Sequence, residues 1–446
     1  MSEEMWSDRN SPVHPVSAPD YLPLDQLRVM QLARLKAVVK RTYDKVAHFR
    51  QKCERQNVAP DSLQTLADLR LFPFTAKTDL RDTYPFGLFA SEMSDITRLH
   101  ASSGTTGKPI VVAYTRGDIG VWAEGVARAL AAGGVRRGDV LHNAYGYGLF
   151  TGGLGLHYGA EKLGATVIPV SGGNTERQVM LLHDFGANAV SCTPSYFLHL
   201  IDAAGKMKID LRQEPLRVGF FGAEPWTDAM RAHIEDAAGI HALDIYGLSE
   251  ISGPGVAQMC LHKRGMHIWE DHFYPEIIDP DTLEVLPAGA EGELVITTLT
   301  KEAFPMIRYR TRDITSLLTE PCPCGRTMRR IARIGRRSDD MFIIRGVNVF
   351  PSQIESGLLS VEGVLPHYRI ILRKGESGLD ELLVEVEIPA DEFTDRVRDI
   401  EQLRQRLAKA IENIINIRAD VRLVEAHSLP RSEGKIKRLF DERQKS

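Results

Sequence analysis

No apolar run in this 446-residue sequence reaches the roughly 18 residues that a membrane-spanning helix needs. An excess of one charge is also missing. There are 55 Lys+Arg against 59 Asp+Glu, a formal net charge of −4. A dedicated nucleic-acid binder carries a basic excess, so that class is disfavoured. Cysteine is scarce and odd in number: Cys53, Cys192, Cys260, Cys322 and Cys324. Such a set does not make a disulfide scaffold, and a reducing cytoplasm is the expected compartment. The acidic, polar opening MSEEMWSDRN carries no signal-peptide pattern. No internal repeat or low-complexity tract interrupts the chain. What is present, 43% hydrophobic and 26% charged, is the mix of a soluble globular protein, and the length suggests two or three domains.

Residues 22–56 repeat apolar side chains at helical spacing through Leu27, Met30, Leu32, Leu35, Val38, Val39 and Tyr43, which predicts one amphipathic helix. A second helix is expected over 119–132, stopped by Gly133-Gly134. The middle then alternates. Strands are expected at 140–144, 166–170, 189–192, 216–221 and 242–246. Helices are expected at 153–163, 175–184, 195–204 and 227–238. Repeated strand-then-helix order implies α/β layers on a largely parallel sheet. A later strand pair is expected at 274–278 and 292–298. Between Arg326 and Arg337 six of twelve residues are arginine, and a shorter α+β unit follows. There MFIIRGVNVF, HYRIIL, LLVEVEI and VRLVEA read as strands. Val397, Ile400, Leu403, Leu407, Ile411 and Ile414 trace one helix face. The fold class is therefore α/β: a large layered α/β domain over 1–337 and a smaller α+β domain over 338–446.

The sharpest feature is Ser102-Ser103-Gly104-Thr105-Thr106-Gly107-Lys108-Pro109, after the strand-like Thr97–His100. Glycines allow a tight turn whose N–H groups converge on an anion. The hydroxyls and Lys108 add side-chain donors, as a polyphosphate requires. It is not the common nucleotide-triphosphate loop, which needs four residues between its glycines and a hydroxyl after the lysine.

This string resembles the signature of AMP-forming acyl-adenylate enzymes. Further segments match that family in order. Asp244-Ile245-Tyr246-Gly247-Leu248-Ser249-Glu250 resembles the segment that flanks adenine and ends in a Mg²⁺ contact. Tyr309-Arg310-Thr311-Arg312-Asp313 resembles the element whose aspartate holds the ribose hydroxyls. Arg312 stands where the wider pattern has glycine, so glycine-only backbone geometry is not expected there. Gly335-Arg336-Arg337-Ser338-Asp339-Asp340 resembles the arginine-and-hinge segment, and Pro430-Arg431-Ser432-Glu433-Gly434-Lys435 the loop with the catalytic lysine. Together with AYGYGLFTGGLGLHYGAEKLG, FFGAEPW, WEDHFYPEI and RSDDMFIIRGVNVFPSQIE, these segments are similar to the phenylacetate–coenzyme A ligase family over nearly the whole chain.

The resemblance implies a ligase with ATP, Mg²⁺ and coenzyme A. Phenylacetate attacks the α-phosphorus, giving an acyl-adenylate and pyrophosphate. Coenzyme A then takes the acyl group and AMP leaves, a step of aromatic-acid catabolism. Two anions meet in the first half, so charge neutralisation and positioning dominate. By resemblance Lys435 and Glu250 are catalytic, and Glu250 holds Mg²⁺, a hard cation suited to carboxylate and phosphate oxygens. Ser102, Ser103, Gly104, Thr105, Thr106, Gly107 and Lys108 hold the phosphates. Gly222, Ala223, Glu224, Pro225, Asp244, Ile245, Tyr246, Gly247, Asp313 and Arg337 border adenine and ribose, with Arg336 the competing register for Arg337. Tyr145, Phe150, Gly222 and Ala223 line the acid pocket, a flat apolar slot for a ring. Asp339 is the hinge of a mobile small domain. The arginine run is read as facing the nucleotide cleft, with no nucleic-acid or membrane partner. A cytoplasmic homodimer is expected by resemblance.

Cys260, Cys322 and Cys324 with one histidine could form a tetrahedral structural zinc site. His267 is preferred over His262, and the alternative is a set of reduced cysteines. Rival functions are ligation of benzoate or a hydroxy- or amino-aryl acid, adenylation without coenzyme A transfer, and a non-catalytic nucleotide binder. Intact Lys435, Glu250 and Asp313 oppose the last.

Overall fold

The computed structural model describes residues 14–101, 109–338, 340–345, 347–375, 380–389, 397–431 and 436–443. Two helices open the fold, α1 (Leu24–Lys45) and α2 (Ala47–Arg55). The pattern predicted one. The chain breaks at Val46, whose φ of −108° and ψ of 98° are extended. Val46 is buried, and the break turns Phe49 and Cys53 of α2 into the core as well. A β-branched residue gives up little by leaving helical geometry, and a one-residue break does not disturb periodicity.

A short helix, α3 (Lys77–Asp82), leads to an antiparallel hairpin of β1 (Ile96–Ala101) and β2 (Val111–Thr115). The phosphate-loop candidates Ser102, Ser103, Gly104, Thr105, Thr106, Gly107 and Lys108 join these strands and lie outside the described residues. Helix α4 (Arg116–Ala132) starts with a reciprocal cap: Thr115 Oγ1 accepts from Asp118 N at 3.0 Å, and Asp118 Oδ2 accepts from Thr115 N at 2.9 Å. That satisfies two amides the helix itself leaves unbonded.

The expected alternation follows: β3 (Val140–Asn143), α5 (Gly152–Leu163), β4 (Thr166–Ile168), α6 (Thr175–Asp184), β5 (Ala189–Cys192), α7 (Pro194–Lys206), β6 (Val218–Phe221), α8 (Asp228–Ala238) and β7 (His241–Leu248). These five strands lie in the parallel order β4-β3-β5-β6-β7. Every residue of β5 and β6 is buried, as strands covered by helices on both faces require.

The same sheet continues antiparallel through β8 (Gly253–Met259), β9 (Met266–Ile268), β10 (Phe273–Ile278), β11 (Glu291–Thr298), β12 (Tyr309–Leu318) and β13 (Arg330–Ile331), with β14 (Arg336–Arg337) beside β12. The sheet is thus parallel on one side alone, a correction to the largely parallel expectation. Helical crossovers stop after β7, and no helix joins the strands from β7 to β14. Parallel neighbours need long crossovers, whereas antiparallel ones can be joined by turns.

The C-terminal segment has its own core. It holds the hairpin β15 (Phe342–Ile344) and β16 (Val347–Val349), then α9 (Pro351–Leu359), β17 (Tyr368–Lys374), β18 (Asp380–Ile388), α10 (Val397–Ile415), β19 (Asp420–Glu425) and β20 (Leu439–Asp441). Its sheet runs β19-β18-β17-β20. Leu403, Leu407, Ile411 and Ile415 of α10 pack against Ile370 and Val384. Ile414, assigned to the buried face by its period, is 40% exposed, because Ile415 continues the four-residue step from Ile411. Asp339 and Lys435 lie outside the described residues. Among the described residues, no helix is long and apolar enough to cross a membrane.

Candidate active site

Ligands of open α/β sheets bind beyond the carboxyl ends of the strands. At that end, β6 runs into Gly222-Ala223-Glu224-Pro225. A Cβ on Gly222 would sit 2.2 Å from the carbonyl oxygen of Ile245 on β7, so only glycine fits. Ala223 takes a φ of +70°. The neighbouring strand brings Tyr246, whose hydroxyl donates to Asp313 Oδ2 at 2.6 Å. Arg337 donates to Asp313 Oδ1 at 2.7 Å. The register explains this pair, since Asp313 on β12 faces Arg337 on β14. Arg336, the competing register, pairs instead with exposed Glu291.

Glu250 follows β7 and is buried. The Tyr309 hydroxyl bonds to it, and burial with that negative charge pushes the Tyr309 hydroxyl far above its usual range. Tyr246, Glu250, Tyr309, Asp313 and Arg337 therefore form one continuous polar wall. Beside it, Arg312 takes a φ of +68°, the left-handed geometry that glycine adopts freely. This corrects the expectation that an arginine there rules such geometry out. The Glu293 carboxylate, which accepts from Arg312 N at 3.3 Å and lies 3.6 Å from its guanidinium, holds the residue in place.

Asp244, expected beside adenine, has its carboxylate engaged by protein groups. Trp226 Nε1 donates to it at 2.5 Å and Arg231 pairs with it. The Trp226 ring lies 5.2 Å from the Arg231 guanidinium and 4.6 Å from that of Arg333. Glu224 accepts from Ser195 N at 2.8 Å and from Ile436 N at 3.1 Å. Burial holds its carboxyl above the ordinary range despite those bonds.

The glycine-rich run folds back on itself. A Cβ on Gly152 would meet the Phe150 ring at 2.6 Å, and one on Gly153 the carbonyl oxygen of Gly146 at 2.5 Å. Tyr145 is buried in the same region as Gly222, Cys192 and Glu224. Sequence reasoning missed the polar set behind them. Asn143 Nδ2 donates to the Tyr147 hydroxyl at 2.7 Å, which lies 3.2 Å from His157 Nδ1. Burial pushes the Tyr147 hydroxyl up to about 12. Nothing in the periodicity marks these residues.

The C-terminal unit docks on this edge. Arg431 donates to both oxygens of Glu387 at 2.7 and 2.8 Å and reaches Asp202 of α7 at 3.4 Å. Arg438 lies 3.2 Å from Glu355 and 4.3 Å above the Tyr368 ring. Glu355 also accepts from Thr227 N at 3.2 Å.

The cysteine cluster lies elsewhere, where Cys260 beyond β8, His267 on β9 and the Cys322–Cys324 turn after β12 meet. The four ligand atoms lie within 4.8 Å of one another. Cys260 Sγ is 3.6 Å from Cys322 Sγ, and Cys324 Sγ is 3.3 Å from His267 Nε2. A tetrahedral zinc with bonds near 2.3 Å sets its ligands about 3.8 Å apart, so the donor set fits that ion. His262 is not in the cluster. The Cys324 thiol is pulled far below its usual range by hydrogen bonds from Cys260 and His267. Cys53 and Cys192 are buried free thiols.

Comparison with known proteins decides the family. Residues 15–300 match the AMP-binding enzyme family and residues 346–443 the AMP-binding enzyme C-terminal domain. The phenylacetate-coenzyme A ligase of Aromatoleum evansii is 54% identical over 94% of this chain and 96% of its own. That of Escherichia coli K12 is 53% identical over 94% and 95%. The chain belongs to the phenylacetate–coenzyme A ligase family. Within that frame, a solved structure of 2-hydroxyisobutyryl-CoA ligase in the postadenylation state, bound to an acyl-AMP, superposes with a TM-score of 0.90 at 30% identity, covering 98% of this chain and 95% of that one. The same ligase with 2-HIB-AMP and CoA in the thioesterification state gives 0.71 at 31% identity over the same shares. The arrangement of this phenylacetate–coenzyme A ligase family member is thus nearer the first of those two states.

Proposed function

We propose that this chain activates phenylacetate with ATP and passes the acyl group to coenzyme A, releasing pyrophosphate and then AMP. The observation that carries this reading is its 50–54% identity to four phenylacetate-coenzyme A ligases along 94% of its length. The polar wall supports it. Tyr246 and Arg337 each occupy one oxygen of Asp313, and an ionised carboxylate keeps further lone pairs for the two ribose hydroxyls. Glu250 is the residue that would hold Mg²⁺, which would spread the charge of the phosphates when bound. Tyr309 fixes its orientation. Gly222 and Ala223 let the nucleotide approach the β6 turn closely, and Tyr145 and Phe150 border the acid. Lys435 supplies the cation between carboxylate and α-phosphate, and Ser102–Lys108 the donors for the leaving pyrophosphate. Asp339 is the hinge about which the small domain swings between the two half-reactions.

The Cys260, His267, Cys322 and Cys324 set holds a structural zinc in the same proposal. The homodimer expected by resemblance belongs to it too and is read by sedimentation velocity. The substrate reading is tested by thioester formation with phenylacetate, benzoate and hydroxy- or amino-aryl acids, each with and without coenzyme A. Phenylacetate should give the highest kcat/KM, and coenzyme A should be consumed. A clear preference for another acid, or AMP release with no thioester, would overturn it.

A further inference from the structure

Glu224 is a half-buried residue whose carboxylate bonds to two distant parts of the chain at once. Burying a charge is costly unless hydrogen bonds and counter-charge compensate it. Here one oxygen takes the amide of Ser195, in the first turn of α7, and the other takes the amide of Ile436. Arg438, its side chain 9% exposed, adds positive charge nearby. The Ile436 nitrogen belongs to the peptide bond that joins it to Lys435. Upstream, Arg431 is clamped by Glu387 and Asp202.

We infer that Glu224 is a positioning residue for adenylate formation, acting on Lys435 through its hold on the amide of the next residue, Ile436. The inference rests on the proposed role of Lys435 and differs from a nucleotide contact, because both carboxylate oxygens are taken by protein groups, the Ser195 amide and hydroxyl and the Ile436 amide. The anchor is conditional on domain arrangement. A swing of the C-terminal unit removes Ile436 and Arg438 from Glu224 and leaves it with α7 alone. The residue therefore acts on the first half-reaction and not on the second.

The test measures acid-dependent pyrophosphate exchange and, separately, thioester formation from preformed phenylacetyl-adenylate. Glu224→Ala should lower the exchange kcat about ten- to hundredfold, the size of a lost charge-assisted hydrogen bond. The KM for ATP and the thioester step should stay at wild-type values. In a Lys435→Ala background the same substitution should cost nothing further, since coupled residues are not additive. Glu224→Gln keeps the shape with one acceptor oxygen and should show the same kcat-selective loss, smaller in size, if the alanine variant misfolds. Losses that multiply across the two sites, or a raised KM for ATP with kcat unchanged, would overturn the inference while leaving the Lys435 reading intact. Undiminished exchange in Lys435→Ala would instead refute that reading, and Glu224 would lose its route of action with it.

Discussion

Asp313 illustrates what one residue of the site does and how it is held. Its two oxygens are oriented by Tyr246 and Arg337 before any nucleotide arrives, so little ordering remains to be done on binding. Asp313→Ala should cut kcat/KM for ATP about ten- to hundredfold, the cost of charge-assisted hydrogen bonds lost to the ribose. An unchanged value in steady-state kinetics would remove Asp313 from the site. Arg312 makes the opposite prediction. A non-glycine residue in left-handed geometry carries a strain of about 1 kcal/mol, and Arg312→Gly should raise the unfolding free energy by roughly 0.5–1 kcal/mol. Urea denaturation checks this, and a loss of stability would show that the Glu293 contacts outweigh the strain. His142 gives a pH signature. Burial lowers its pKa from an ordinary value of 6.5, although Gln178 bonds to it. Below that value the unfolded chain binds more protons than the folded one, so stability is full above it and falls as pH drops towards the folded pKa. Unfolding curves from pH 7.5 to 5.5 should show this fall, and His142→Gln should flatten it.

At the scale of elements, the cysteine cluster ties β8, β9 and the turn after β12 together. Protein purified without a chelating tag should contain about one zinc per chain, and Cys324→Ser should lose it and unfold at lower temperature, because metal affinity is folding free energy. Metal content near zero would leave three reduced thiols and a histidine in contact. Elements that carry a complete local pattern were legible in the sequence: α6 and β5 fall on their expected residues. Elements defined by distant pairing were not. The strand Leu439–Asp441 has three residues and exists because Ile370 to Leu372 of β17 accept it as a neighbour. The strand Arg330–Ile331 exists through His267 and Met266. The same limit applies to the site. Tyr246, Glu250 and Asp313 were found by motif, but the bond between Tyr246 and Asp313 spans 67 residues, and the stacking of Arg231 and Arg333 on Trp226 had no local signal, although Trp226 and Arg333 lie in segments the sequence singles out.

For the whole molecule, the question is how one cleft serves two reactions. Among the described residues, the contacts of the C-terminal unit with the large layer include those at Asp202, Glu224 and Thr227, which a rigid-body swing breaks together. The match is better to the postadenylation state of a relative than to its thioesterification state, with TM-scores of 0.90 and 0.71. The near-neutral net charge of the chain is uninformative about this, because Arg337, Lys108 and Lys435 are local cations in a chain whose surplus is slightly acidic. The central claim is that a carboxylate attacks ATP in this cleft, and the exchange of labelled pyrophosphate into ATP measures that step alone. Exchange should depend on phenylacetate, proceed without coenzyme A, and fall by at least about a hundredfold, to a small measurable residue, in Lys435→Ala. A folded wild-type protein that exchanges no pyrophosphate with phenylacetate or any other aryl acid would contradict the account.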